Sequence, residues 1–299
     1  MKARQLFKSL AQGLTGRDDV MGFVRTRKLA LRQQLYRTPI SVNEFRSALS
    51  RLGVAKGRVI WLQSSWNEFY NLALKPREVV EILLEEIGTT GTLVMPAFPL
   101  HPDPTQILMI DRVPSSTGLL TEVFRRWPGV KRSIHLANSV CALGPEAEYL
   151  ISDHHKTPLS CGPLTPYCRL ADTDARLVCL GVGPFVHNLT PLHAVECLLH
   201  EELPYFRMIL SDTMRYRWQR SNGETGEHEF YVRNATIDPR PFGRNYSPDT
   251  YVDFKVSNMT AFSIDARVAI SRAVDLARQG ITIYTTPKPR RALFAPDTK

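Results

Sequence analysis

The spacing of apolar positions changes several times along the chain, and each change predicts an element. Behind Ser41, a good N-cap, Phe45, Ala48, Leu49 and Leu52 recur at helical spacing, and Gly53 follows them. Residues 58–63 hold the unbroken run Val59-Ile60-Trp61-Leu62, suited to a buried strand. Pro76 opens a second helix carrying Val79, Val80, Leu83, Leu84 and Ile87, and Gly88 closes it. A strand over 92–95 follows, stopped by Pro96. Helix, strand, helix, strand is the rhythm of an α/β layer. Further helices are expected over 118–127 and 145–155. A buried strand over 176–181 runs into Gly181-Val182-Gly183-Pro184, and a helix starts at 190. From 206 the texture alternates: 206–210, 215–220 and 229–233 predict strands, turned at Ser221-Asn222-Gly223 and Gly226. A long helix over 263–279 ends at Gly280, and a last strand over 281–286 precedes a basic tail. With no repeats or low-complexity linkers, the fold class expected is α/β: a mixed sheet with flanking helices and an antiparallel β subregion near 206–233.

Composition narrows the class without changing that picture. At 299 residues, 43% hydrophobic and 22% charged, the chain suits a globular protein with a substantial core and excludes disorder, collagen or a disulfide scaffold. No apolar run reaches the roughly 20 residues of a bilayer span, and the start lacks the apolar core of a secretory signal. The five cysteines form no close CxxC pair, so they read as small core residues in a reducing cytoplasm.

Charge divides the chain in two. Residues 1–37 hold nine Lys/Arg against Asp18 and Asp19, whereas the remaining 262 residues carry 29 basic and 27 acidic side chains. A basic N-terminal arm (1–38) is therefore expected ahead of the main domain (39–299). Over 20–36 its apolar Val24, Leu29, Leu31 and Leu35 interleave with basic residues. Such a helix either packs on the body or a neighbour, or is weakly drawn to an anionic surface such as the inner face of the membrane. Nucleic acid is not an expected partner, because the arm holds no recognised module and the body no basic stripe. Oligomeric state is not readable.

The densest chemistry lies in Asn188-Leu189-Thr190-Pro191-Leu192-His193-Ala194-Val195-Glu196. Thr190 reads as an N-cap and Pro191 as a first helical residue, which puts His193 in the opening turn and Glu196 on its face. A helix start disfavours imidazolium and a nearby carboxylate favours it, a balance suited to a proton acceptor. An exposed histidine beside a charged helix face fits the same spacing. His193, Glu196 and His200 also share a side, but no HExxH order or cysteine cluster supports a metal, and none is expected. A second stretch, Arg132-Ser133-Ile134-His135-Leu136-Ala137-Asn138-Ser139, is rich in hydrogen-bonding groups, as is Gln63-Ser64-Ser65-Trp66 at a strand end.

Taken in order over about 40–235, these stretches resemble the aminoglycoside 3-N-acetyltransferase family. The resemblance runs through Leu62-Gln63-Ser64-Ser65, then 88–96, Pro114-Ser115-Ser116-Thr117-Gly118, 132–135 with Asn138-Ser139, Thr165-Pro166 and 190–196. It implies acetyl-CoA as donor, a small-molecule amine as acceptor, and direct transfer assisted by His and Glu. Three positions depart from the family's pattern: Gln63 stands where His is usual, Leu136 where Pro is, and Thr165 where Ser is. The catalytic candidates are His193, Glu196 and His135, and which histidine is the base stays open. Ser64, Ser65, Arg132, Ser133 and Ser139 are assigned to acetyl-CoA, and Gln63, Thr190 and Asn138 to the acceptor.

A near-neutral body is not built to gather polycations. The acceptor expected is therefore an amino sugar, nucleotide-linked or from a surface polysaccharide. An aminoglycoside, with antibiotic resistance as the outcome, is the alternative, and a non-catalytic binding protein on the same fold is a further one.

Overall fold

A computed structural model describes residues 20–183, 188–238 and 242–295; for 20–26 and 28 only the backbone path is described. Four of the nine basic residues of the N-terminal arm therefore lie outside the described residues, and the side chains of Arg25 and Lys28 are not described either. In chain order the elements are α1 (Val20–Leu35), α2 (Val42–Arg51), β1 (Val59–Ser64), α3 (Pro76–Ile87), β2 (Thr92–Pro96), β3 (Ile107–Met109), α4 (Leu119–Arg125), β4 (Lys131–Arg132), β5 (Val140–Leu143), α5 (Ala147–Ile151), α6 (Pro166–Asp172) and β6 (Ala175–Leu180). A 3-10 turn (Thr190–His193) then leads into α7 (Ala194–Leu198), α8 (Pro204–Ile209), β7 (Asp212–Gln219), β8 (Thr225–Val232), β9 (Thr236–Ile237), β10 (Tyr251–Val256), β11 (Met259–Asp265), α9 (Ala266–Arg278) and β12 (Tyr284–Thr286).

A seven-stranded mixed sheet in the order β10-β11-β6-β1-β2-β5-β4 forms the centre. β1 pairs in parallel with both β2 and β6, and the outer pairings are antiparallel. β1 is buried on both faces, which is why its sequence is continuously apolar. Alternation still sorts its side chains: Val59 and Trp61 join one core with Leu177 and Cys179, while Ile60 and Leu62 join another with Val178 and Leu180. The first core is covered by α5, α6, α7 and α9, the second by α2, α3 and α4. The chain leaves β1 towards β2 on one side, and β6 lies on the other. The carboxyl ends of β1 and β6 therefore flank a topological switch point, where open α/β sheets bind ligands.

α2 begins as its sequence predicts, with Ser41 Oγ accepting from Glu44 N at 3.2 Å and Glu44 closing a capping box. The second sheet, β3-β7-β8, is less regular than expected. β7 and β8 form the antiparallel hairpin, but β3 adds to β7 in parallel. Residues 206–210 are not a strand. Pro204 starts α8 there, burying Tyr205, Phe206 and Ile209 on one helical face. The long helix expected from 263 starts at 266, because Ser263-Ile264-Asp265 complete β11, and Asp265 caps α9 through its carboxylate.

The described end of the arm lies on the body. Arg32 pairs with Glu68 at 2.8 Å, and Ser257 Oγ donates to Thr38 O at 2.7 Å. Among the described residues no helix is long and apolar enough to cross a membrane.

Candidate active site at the switch point

The site is built from the strand ends upward. Gln63, near the end of β1, accepts from Trp61 Nε1 at 2.9 Å and from Thr190 N at 2.8 Å, while its amide nitrogen donates to Asn188 O at 3.1 Å. All three bonds go to the protein, so Gln63 anchors the 188–190 backbone instead of contacting an acceptor. After β6, Gly181 adopts φ +72°, and a Cβ there would come within 2.6 Å of Glu68 Cβ. Only glycine lets the loop pass this close to the end of β1.

Thr190 opens the 3-10 turn without capping anything with its side chain, and Pro191 follows. His193 ends that turn and is the residue from which α7 starts. His193 Nδ1 stands 3.6 Å from Glu196 Oε2 and 2.9 Å from the Tyr284 hydroxyl. The His193 side chain is 16% exposed and that of Glu196 2%. Arg233, just past β8, donates through Nε at 2.7 Å and Nη2 at 2.5 Å to the other carboxylate oxygen, Oε1. Glu196 Oε2 is buried with no hydrogen-bond partner of its own. Burial pushes the Glu196 carboxyl upward, but Arg233 and His193 outweigh it, so the group is held ionised. Burial and the Arg233 charge lower the His193 imidazole below its usual range, against the opposing pull of Glu196. The result is a neutral imidazole beside a carboxylate. A cavity of about 130 Å³ lies against Glu196 and Arg233, lined also by Asn138, Ser160, Phe230 and Tyr231.

His135 does not join this pair. It is fully buried, and its Nδ1 accepts from the backbone N–H groups of Ala137 at 3.1 Å and Asn138 at 2.9 Å. The remaining ring proton is then on Nε2, which bonds Ser160 Oγ at 3.0 Å. His154 stacks on it at 4.7 Å, and His228 meets it edge-on at 5.4 Å. With its proton acceptor committed to the backbone and no exposure, His135 shapes the 135–139 turn that carries Asn138 to the cavity.

The donor assignments divide in the same way. Arg132 braces the chain, with Nη1 donating to Ile110 O at 3.2 Å and Val113 O at 2.5 Å, Nη2 to Ala97 O, and Nε to Ser139 Oγ at 3.0 Å. Ser139 Oγ donates onward to Ala97 O at 2.6 Å. Ser133 Oγ accepts from Val140 N at 2.8 Å and meets His154 Nδ1 at 2.8 Å. All three side chains are buried and satisfied, so none is free to hold a phosphate or a pantetheine arm. Ser64 and Ser65, half-buried at the carboxyl end of β1, remain accessible. His200, the third member of the weighed metal set, bonds instead to Glu201 at 2.8 Å. Among the described residues no three His, Cys, Asp or Glu side chains gather to hold an ion.

Arg233, Tyr284 and Ser160 had no local signal in the sequence; they reach the site from elsewhere in the chain. The model of the family described as aminoglycoside 3-N-acetyltransferase matches residues 61–278. The chain belongs to that family. Aminoglycoside N(3)-acetyltransferase IV of Salmonella sp is 34% identical over 157 residues, 52% of this chain. The match spans 58% of that relative's length. Among solved structures, AAC-IIIb in binary complex with CoASH superposes with a TM-score of 0.67 at 19% identity, covering 83% of this chain and 98% of the other. A mutant of aminoglycoside acetyltransferase AAC(3)-IVa in complex with a gentamicin gives 0.63 at 26% identity, covering 80% and 89%. The acetyltransferase family match thus takes in His193, Glu196 and Arg233, and stops before Tyr284.

Proposed function

We propose that this chain transfers the acetyl group of acetyl-CoA to the 3-amino group of an aminoglycoside. The observation that carries the reading is the pair His193–Glu196, in a segment anchored through Thr190 to Gln63 near the end of β1, with Glu196 lining a cavity of about 130 Å³. Family membership supports the reaction class, and the relatives' names favour an aminoglycoside over the nucleotide-linked amino sugar expected from charge alone.

The chemistry follows from the pair. An ammonium has no lone pair, so the acceptor must lose a proton as its nitrogen approaches the thioester carbon. His193 Nε2 has no hydrogen-bond partner among the described residues and takes that proton. Glu196 stabilises the imidazolium that results. The new C–N bond forms as the C–S bond breaks; the proton held by His193 passes to the departing CoA sulfur and the second proton of the former ammonium is released to solvent, giving the amide, free CoA thiol and one proton. Ser64 and Ser65, accessible at the carboxyl end of β1, are assigned to the thioester end. His135 serves the cavity wall in this scheme and not the proton transfer.

Purified protein incubated with acetyl-CoA should release thiol with gentamicin- or apramycin-type aminoglycosides and not with UDP-linked amino sugars. Thiol release only with the nucleotide sugars would overturn the acceptor assignment. No release with either class, together with no CoA binding by calorimetry, would favour a binding protein on this fold.

A further inference from the structure

Tyr284 lies outside the family-matched stretch, on β12, which pairs with β9 a few residues after Arg233. It is 3% exposed, and its ring sits 6.2 Å from that of His193 at a tilt of 31°. Its hydroxyl and Glu196 Oε2 converge on the same imidazole nitrogen, at 2.9 and 3.6 Å. A neutral imidazole carries one N–H. With that proton on Nε2, the Nδ1 lone pair would face Oε2, a buried carboxylate oxygen that has no donor, and such an orphan is costly. With the proton on Nδ1, the phenol oxygen accepts it at 2.9 Å, the N–H dipole faces Oε2 at 3.6 Å, and Nε2 carries the lone pair.

We infer that Tyr284 is a positioning residue for His193: its phenol oxygen accepts the Nδ1 proton, which the Glu196 charge attracts from 3.6 Å, and so holds the tautomer whose Nε2 accepts a proton from the amine. The kinetic consequence rests on the proposed function, but the tautomer itself does not. Among the described residues, the charged and titratable groups facing His193 are Glu196 from α7, Arg233 from the end of β8, and Tyr284 from β12. Burial and Arg233 oppose imidazolium and Glu196 favours it; a phenol oxygen accepting from Nδ1 adds to the favouring side. Removing the phenol oxygen therefore makes His193 harder to protonate, so the neutral base persists to lower pH.

Tyr284→Phe keeps the buried ring and deletes the oxygen. In long-range proton–nitrogen spectra of the full-length, nitrogen-15-labelled protein, parent His193 should be the Nδ1–H tautomer, and Tyr284→Phe should gain the Nε2–H form. In turnover, kcat should fall about tenfold at unchanged KM for acetyl-CoA, less than the roughly hundredfold or more that loss of the acid–base group itself costs, and the acid limb of the pH profile should move to lower pH. An Nε2–H parent, or a variant whose tautomer and pH profile match the parent's, would overturn the inference. Full turnover in His193→Ala would instead remove the functional reading, while a tautomer change in Tyr284→Phe would still support the positioning role.

Discussion

At the scale of single residues, the site is a chain of charges in which each group sets the state of the next. Arg233 holds one oxygen of Glu196 from two nitrogens and leaves the other turned to His193. The pair is sunk in the structure, with side-chain exposures of 22% and 2%. A buried pair of this kind is costly to half-remove, because the surviving charge loses its partner without regaining water. Arg233→Met should therefore cost about 3 kcal/mol of unfolding free energy in a urea titration at pH 7. Adding Glu196→Gln to that variant should recover part of the loss, since no stranded carboxylate remains. Equal stability of Arg233→Met and the parent would show that the pair contributes nothing to the fold.

At the scale of elements, the segments that could be read from sequence were those whose signals are local. α2 and α3 carry both their caps and their apolar faces within about a dozen residues, and β1 and β2 are apolar runs between clear breakers. Where a segment's fate depends on distant partners, local pattern misleads. The 206–210 alternation is overruled by Pro204 and by packing of Tyr205 and Phe206 against Phe294. β10 and β11 offer mixed polar and apolar residues, and they form because β11 finds the free edge of β6. The site divides along the same line. His193 and Glu196 are three residues apart, so their proximity was legible. Arg233 and Tyr284 lie 37 and 91 residues from their partners in the site, a distance that no periodicity spans. Arg132, Ser133 and Ser139 show the converse: a loop dense in polar groups looks like a ligand cradle, but here Arg132 and Ser139 bind the chain's own carbonyls and Ser133 binds Val140 N–H and His154.

At the scale of the whole molecule, three imidazoles sealed beside the cavity make the fold sensitive to acid. Burial lowers His135, His154 and His228, with His154 brought down to about 3. Between that value and the ordinary histidine range near 6.5, the unfolded chain binds protons that the folded chain refuses, so stability falls as pH falls. From pH 7 to pH 5 His154 alone should remove about 2 kcal/mol, and His154→Asn should shrink the difference between urea midpoints at the two pH values. Equal midpoints for the parent at pH 5 and pH 7 would contradict this. Outside that wall His193 stands next to the Glu196 carboxylate with 16% of its side chain exposed, and the proposed activity depends on it. The most direct test is the turnover number of His193→Ala with acetyl-CoA and an aminoglycoside, measured on protein whose circular dichroism and CoA affinity match the parent. The account predicts a fall of about a thousandfold, the scale of a lost general base; a rate within a few-fold of the parent would contradict it.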